Sequence, residues 1–212
     1  MHARWIALPL ALAGCRPAPP AGTVFFASGA DLQSINPLLT THPLARQVQR
    51  YVLFMTLVRY DSALTPQPWL ASSWEWSADR AVLTMVLRDD VRWHDGAPTT
   101  AADVAFTLDA ARDSATGYPR ASELACLTTV EEPGGAGGHR IALRFCRPQG
   151  SIPDVLADLA ILPAHLLSAV PREGMRAAAF NEHPVGNGPF RFVEHVPNRR
   201  WIFAANPDFP AP

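Results

Sequence analysis

Hydrophobic and polar residues alternate in several parts of the chain, and each alternation predicts a half-buried strand. In segment 81–88, Leu83, Met85 and Leu87 fall on one side of a period-two pattern. Two further alternating runs flank the Gly-rich segment EEPGGAGGH, which predicts a hairpin with Leu127, Ile141, Leu143 and Phe145 facing the core. Near the C-terminus, FRFVEHVPNRRWIFA predicts a pair of strands that turns at Pro197-Asn198.

Other stretches show the spacing of an amphipathic helix. Apolar residues recur at helical intervals over residues 45–59, and Pro43 suits the first turn. Thr100 and Asp103 resemble a capping box and open a second helix. The face that this helix would bury consists of Ala101, Val104, Ala105, Leu108 and Ala111. Shorter helices are expected over 152–159 and 164–169.

The apolar run Thr23 to Ser28 lies between Gly22 and Gly29. A short continuous apolar run between turn residues is typical of a strand buried on both faces. We therefore expect it to begin the core sheet.

The N-terminus has the pattern of an export signal. Residues 5–14 (WIALPLALAG) follow Arg4 and are too few to cross a bilayer. The sequence Leu-Ala-Gly-Cys ending at Cys15 resembles the lipobox of bacterial lipoproteins. This resemblance implies a signal peptide over 1–14, an acylated Cys15 and a Pro-rich tether over 15–22. The alternative is an ordinary signal followed by a coincidental cysteine.

The composition indicates a globular chain. It has 212 residues, a formal charge of −1, 48% hydrophobic residues and 17% charged residues. Such a balance excludes the basic surface of a nucleic-acid-binding protein and is too apolar for a disordered chain. The length allows one domain, or one domain with an inserted lobe.

Cys126 and Cys146 are symmetric about Ala136 in the predicted hairpin. A regular register places them opposite one another, within reach of a disulfide, and export supplies an oxidising compartment. Two free thiols are the alternative, since a one-residue slip would place them on opposite faces.

No motif for catalysis or for a cofactor stands out. The sequence lacks GxSxG, HExxH, a P-loop and a CxxC pair, and no metal site or enzyme activity is expected. His94 beside Asp95 could form an acid/base pair, but a solvated polar turn at Gly96 is favoured. A sugar-binding surface could be formed by Trp69, Trp74, Trp76 and Trp93, but tryptophans near strands more often pack in a core or an interface.

Six segments in order resemble the bacterial extracellular solute-binding proteins that serve ABC importers for peptides, nickel and related solutes. The longest is 68–108, with its Leu-Ala-x-Ser-Trp-Glu lead, Trp-His-Asp-Gly turn and Thr-Ala-x-Asp-Val helix start. The other five are SINP (34–37), LFMTLVRYD (53–61), ILPAH (161–165), HPVGNGPFRF (183–192) and NPDF (206–209).

The resemblance implies an α/β fold of the periplasmic-binding-protein type, a clamshell of two lobes. The chain would form an incomplete first lobe, with 23–45 and 163–212 in lobe I and 46–162 as an inserted smaller subdomain. The second ligand-binding lobe would be absent. We therefore expect weak solute binding by this chain alone and an apolar face left exposed.

The function that the resemblance implies is binding of a peptide or other small solute for an ABC permease, at the outer face of the cell membrane. Main-chain groups of Asp31, Leu32 and Gln33 would hold the solute, and Asp31 could pair with its amine; an Asx turn is the alternative for Asp31. Tyr118 is a further candidate. A different hypothesis is a truncated surface lipoprotein that acts as an interaction module and binds no solute.

Overall fold

A computed structural model describes residues 23–29, 31–135 and 137–210. The helices are α1 Pro43–Val48, which continues as a π-helical turn Gln49–Leu53, α2 Ala101–Arg112, α3 Val155–Asp158 and α4 Ala164–Leu167. Short 3-10 turns lie at Ala121–Leu124, Arg172–Ala177 and Ala179–Asn181. The strands are β1 Val58–Tyr60, β2 Pro66–Pro68, β3 Ala71–Trp76, β4 Val82–Leu87, β5 Leu127–Glu131, β6 Arg140–Phe145, β7 Phe190–Val196 and β8 Arg200–Ala205.

The central sheet has four antiparallel strands in the order β3-β4-β6-β5. The alternation predicted for β4 is confirmed: Leu83, Met85 and Leu87 are buried, because alternate side chains of a strand point to the same face of the sheet. The hairpin β5–β6 is also confirmed, and it pairs Leu127 with Phe145. A bulge then shifts the register, so that Thr129 faces Arg144.

Cys126 and Cys146 flank the open end of this hairpin. The structure joins them in a disulfide, with Cα atoms 5.0 Å apart. The backbone N–H of Cys146 also donates to the carbonyl of Cys126 at 2.7 Å. The regular register at Leu127 therefore extends to the two cysteines.

The predicted capping box at the start of α2 is present. The Thr100 hydroxyl and the Asp103 carboxylate cap each other's backbone N–H groups. Asp103 is buried, and its carboxylate also accepts hydrogen bonds from the Trp93 indole at 3.2 Å and from Ala164 N–H at 2.8 Å. One side chain thus caps α2 and fixes the start of α4, and Trp93 packs in the core.

The helix expected over 45–59 is wrong beyond Leu53. Pro43 does open α1, but the chain becomes extended at Phe54 and enters β1. Residues 53–58 are buried on every side, which an amphipathic helix at a surface cannot be. Their backbone groups bond to distant segments instead, for example Ile161 N–H to Met55 O at 2.9 Å.

The strand expected over 23–28 is also wrong. The segment has no regular structure, and Val24, Phe25 and Phe26 are 91%, 75% and 78% exposed. A strand needs a neighbour for its backbone groups, and no strand of the described chain pairs with it. On β7, Val193 is a further exposed apolar side chain, at 55%.

The C-terminal third follows the predicted order with shorter helices. The hairpin β7–β8 turns at Asn198, which has φ of +56°. Helix α3 ends at Asp158 because residues 159–163 run buried and extended. Helix α4 ends at Leu167, before Val170-Pro171, where the proline disfavours a helical residue ahead of it.

A tight crossing joins the segment 186–188 to residues 53–55. Gly188 N–H donates to Leu53 O at 2.9 Å, and a Cβ at Gly186 would lie 1.9 Å from the same carbonyl oxygen. His94 lines the other side: its Nδ1 accepts from Gly186 N–H at 3.1 Å, and its Nε2 lies 3.0 Å from Gly188 O. The expected solvated turn is therefore wrong for the His94 ring, although Gly96 does turn the chain with φ of +92°.

Candidate functional site

Three arginines converge on one carboxylate. Two of the arginines lie on α1 and its π-helical continuation, and the third directly precedes the 3-10 turn Ala121–Leu124. The carboxylate belongs to the last residue of α3. Arg46, Arg50 and Arg120 each form an ion pair with Asp158. The Asp158 side chain is 11% exposed and the three arginine side chains are 19–29% exposed. We call these four residues the arginine cluster.

The spacing of two arginines along the first helix explains part of the arginine cluster. Arg46 and Arg50 are four residues apart in one continuous helical stretch, so they project from the same face. Two like charges at this spacing repel, and Asp158 offsets that repulsion. Burial, followed by repulsion from Arg120 and Arg50, lowers the pKa of Arg46.

A small recess opens beside the cluster. Its volume is about 10 Å³, which is the space that one water or one carboxylate oxygen fills. The residues with polar groups around it include Thr40, Arg46, Gln49, Tyr118, Arg120 and Asp158. Tyr118 is buried, which raises the pKa of its hydroxyl, so the group is a neutral hydrogen-bond donor at neutral pH.

A larger cleft of about 170 Å³ lies next to the cluster and shares Arg50 with it. Aromatic side chains form much of its wall, and the Arg59 guanidinium sits 4.5 Å from the centre of the Trp69 ring. The Tyr60 hydroxyl donates to Asp154 at 2.7 Å. Burial and this hydrogen bond raise the pKa of Tyr60 to about 12. We call the recess, the arginine cluster and this cleft together the polar and aromatic strip.

Two of the sequence-predicted site residues lie at this strip. Tyr118 lines the recess, and the exposed Gln33 accepts a hydrogen bond at 2.9 Å from the Thr40 hydroxyl, which lines it too. Leu32 is partly buried and packs against the core. The segment after the first expected strand therefore does approach the recess, through Gln33.

Asp31 lies elsewhere, under the turn of the β7–β8 hairpin. Its carboxylate accepts hydrogen bonds from the Trp201 indole at 2.6 Å, Asn198 N–H at 2.8 Å and Leu32 N–H at 2.8 Å, and it lies 3.3 Å from His195 Nε2. Burial would raise the pKa of Asp31, but these hydrogen bonds outweigh it and lower the pKa to about 2. In this structure the carboxylate is occupied by the protein's own donors.

The structure does not place His94 and Asp95 as an acid/base pair. Asp95 instead accepts from His165 at 2.8 Å. The residue ranges 23–29, 31–135 and 137–210 contain no group of three or more His, Cys, Asp or Glu side chains that could hold a metal ion. Within the same ranges, every helix is too short or too polar to cross a membrane. Cys15 lies outside the described residues.

Sequence reasoning missed the arginine cluster. The pair Arg46 and Arg50 at helical spacing was a usable signal, because it marks a strongly positive helix face. Its partner Asp158 follows Arg50 by 108 residues, and no local pattern connects them.

Comparison with known proteins gives the family. Residues 65–211 match the profile of the bacterial extracellular solute-binding proteins, family 5 Middle. A Brucella ovis protein, named as a candidate ABC transporter peptide-binding protein, is 34% identical over 91% of this chain and 36% of its own length. The chain thus spans about a third of the length of the relatives that it matches.

Solved structures show the same fold. The oligopeptide-binding protein AppA of Bacillus subtilis, in complex with a nonapeptide, superposes with a TM-score of 0.80 at 27% identity, over 86% of this chain and 36% of AppA. NikZ of Campylobacter jejuni, in complex with Ni(L-His), gives a TM-score of 0.73 at 29% identity, over 84% of this chain and 34% of NikZ. The fold is that of part of a periplasmic binding protein, and the chain belongs to the family 5 bacterial extracellular solute-binding proteins.

Proposed function

We propose that the chain contributes one wall of the solute site in a binding protein that delivers peptides or another small solute to an ABC permease. The observation that carries this proposal is the family match over residues 65–211. Relatives named as peptide-binding proteins support it, and so does the strip of aromatic and cationic side chains on this lobe. No catalytic step is part of this function.

The mechanism is differential binding. A solute that contacts two lobes favours the closed state of the hinge between them, and closure presents both lobes to the permease. This lobe's contribution is a rigid wall, because the crossing of 186–188 with 53–55 and the Asp103 network fix its loops. In this proposal, 23–45 and 163–212 belong to lobe I and 46–162 to an inserted subdomain.

Backbone groups of Leu32 and Gln33 would receive a peptide as an added strand, and Tyr118 would close the side of the site. Asp31 would meet a solute amine only by giving up hydrogen bonds to Trp201 and Asn198. Asp31 would therefore contact the solute through its main-chain groups, unless the β7–β8 turn moves and frees the carboxylate.

Deletion of the gene in its host tests the proposal. Uptake of radiolabelled tri- and oligopeptides should fall in the deletion strain and return when the gene is restored on a plasmid, while uptake of free alanine stays unchanged. Unchanged uptake of peptides and nickel chelates in the deletion strain would reject the proposal and favour the interaction-module hypothesis.

We also propose that the protein is exported and anchored through Cys15. Labelled palmitate should be incorporated by the wild-type protein in a bacterial host and lost in Cys15→Ser. Equal labelling of both would end this part of the proposal, without affecting the solute-binding role.

A further inference from the structure

The arginine cluster carries more positive charge than its own carboxylates balance. Three guanidinium groups face Asp158, and Arg120 also binds Glu123 at 2.5 Å and 2.6 Å. Three positive and two negative charges are thus in direct contact. The next carboxylate, Asp154, accepts from the Tyr60 hydroxyl and acts on Arg120 electrostatically, but it forms no ion pair with the three arginines among the described residues.

The cluster also holds donors that nothing in the lobe uses. The Arg50 Nε–H is buried and has no acceptor among the described residues. The Tyr118 hydroxyl also makes no hydrogen bond in the part of the chain that the structure describes, but its oxygen is not fully buried, so water can reach it. A buried donor without a partner is costly, so the Arg50 Nε–H favours an acceptor brought by a ligand. Arg50 lines the larger cleft beside the recess and not the recess itself.

The recess determines what kind of acceptor fits. It has room for about one oxygen atom beside Arg46, Arg120 and Tyr118. Guanidinium groups bind carboxylates and phosphates through paired N–H donors. A monoanion matches the one guanidinium charge that no carboxylate contacts directly, whereas a phosphate with a charge of about −1.5 to −2 would exceed it.

We propose that the arginine cluster is a subsite for a carboxylate of the solute, such as the C-terminus of a peptide or the acid group of another small molecule. This inference rests on the proposed function and names its ligand class. The solute carboxylate would place one oxygen in the recess and accept from Arg46 and Tyr118, while Asp158 keeps the guanidinium groups in position.

NMR titration of the purified, ¹⁵N-labelled chain tests this at constant ionic strength, with sodium acetate, tri-alanine, tri-alanine amide and inorganic phosphate as probes. Acetate and tri-alanine should shift the Nε–H signals of Arg46, Arg50 and Arg120 saturably, and the amide should bind about tenfold more weakly, as the loss of a charge-assisted hydrogen bond implies. Absence of saturable shifts, or equal binding of the amide, would overturn the proposal. Tighter binding of phosphate would overturn the assignment to a carboxylate.

Variants separate a subsite from a purely structural ion-pair network. Arg46→Gln leaves Arg50 and Arg120 on Asp158 and should weaken acetate binding about tenfold. Arg140→Gln makes the same charge change at a half-exposed residue of the central sheet and should have no effect.

An Arg46→Gln variant that loses stability but binds acetate like Arg140→Gln would show that the cluster is structural only. The uptake assay is independent of this titration. If peptide uptake depends on the gene but no probe shifts the arginine signals, the subsite proposal is rejected and the proposed function stands. If the probes bind but peptide uptake does not depend on the gene, the proposed function is rejected and the carboxylate site stands.

Discussion

The side-chain carbonyl of Asn187 accepts a hydrogen bond from the backbone N–H of Met55 at 2.9 Å. Both residues are fully buried and lie 132 positions apart. This contact satisfies a backbone donor that the extended segment 53–58 cannot pair within itself, and it lies between two glycines that let the chains approach closely. The crossing therefore depends on long-range contacts that a single substitution can break.

Gly186→Ala should destabilise the fold by about 1–3 kcal/mol, the range typical of overpacking a rigid core. The new methyl group would meet Leu53 O at 1.9 Å, and the carbonyl is already bonded to Gly188 N–H. Urea unfolding followed by tryptophan fluorescence measures the change. Gly150→Ala, with no atom within 4 Å of the added Cβ, is the matched control and should be nearly neutral. Equal midpoints for the two variants would contradict the crowded crossing.

His94 should make the stability depend on pH below neutrality. Burial lowers the pKa of His94, and nearby Arg191 acts in the same direction, against the Gly188 carbonyl and Asp95. Because Nδ1 accepts from Gly186 N–H, the neutral ring carries its proton on Nε2 and donates to Gly188 O. A second proton on Nδ1 would break the bond from Gly186.

The folded state therefore favours neutral His94. Its contribution is complete above the unfolded pKa of about 6.5 and is lost as the pH falls through the lower folded pKa. The free energy of unfolding should decrease from pH 7 to pH 5, and His94→Gln should flatten that decrease. His183→Gln, at an exposed histidine, should keep the wild-type slope. Identical slopes for His94→Gln and the wild type would contradict the assignment.

Strands β4, β5 and β6 of the central sheet were predictable because apolar and polar residues alternate along them, whereas β3, in which only Ala71 is buried, was not predicted. The alternation of Leu83, Met85 and Leu87 records the buried side of the sheet in the sequence itself, and so does the pairing of Leu127 with Phe145. The capping box of α2 is equally local, since Thr100 and Asp103 are three residues apart.

Segments that are buried on all sides show no alternation of apolar and polar residues from which their conformation could be predicted. Residues 53–58 show helical spacing, but their conformation is fixed by Asn187 and Ile161, which lie more than a hundred positions away. The recess has the same origin, since Asp158 joins Arg46 across 112 residues. The resemblance to a family was enough to identify the type of protein from the sequence. The arginine cluster could be recognised only from the three-dimensional structure.

The Cys126–Cys146 disulfide should be present in the exported protein. Thiol titration of denatured, unreduced Cys15→Ser protein should find no thiol, and two titratable thiols would refute the bridge. The bond closes a loop with a sequence separation of 20, so reduction should lower the free energy of unfolding by about 3 kcal/mol in the chain-entropy model. The double variant Cys126→Ser/Cys146→Ser is the control, because its stability should not respond to a reductant.

Asp31→Asn should loosen the β7–β8 hairpin, and the loss should vary with pH. Hydrogen bonds from Asn198, Trp201, His195 and Leu32 outweigh the effect of burial and lower the pKa of Asp31 from 3.8 to about 2. A lowered carboxyl pKa means that the folded state favours the ionised form. By linkage, and allowing for solvent screening, this difference contributes about 1 kcal/mol, which is complete above about pH 4 and is lost as the pH falls toward 2.

The wild type should therefore be more stable than Asp31→Asn by about 1 kcal/mol at pH 5, and this difference should shrink steadily as the pH is lowered to 2.5. Urea unfolding at each pH gives the difference, and the Trp201 Nε1–H signal in NMR reports the broken hydrogen bond directly. Asp89→Asn, at an exposed aspartate, should match the wild type throughout. A stability difference that is absent at pH 5, or that does not change with pH, would show that the ionised carboxylate does not hold the hairpin turn.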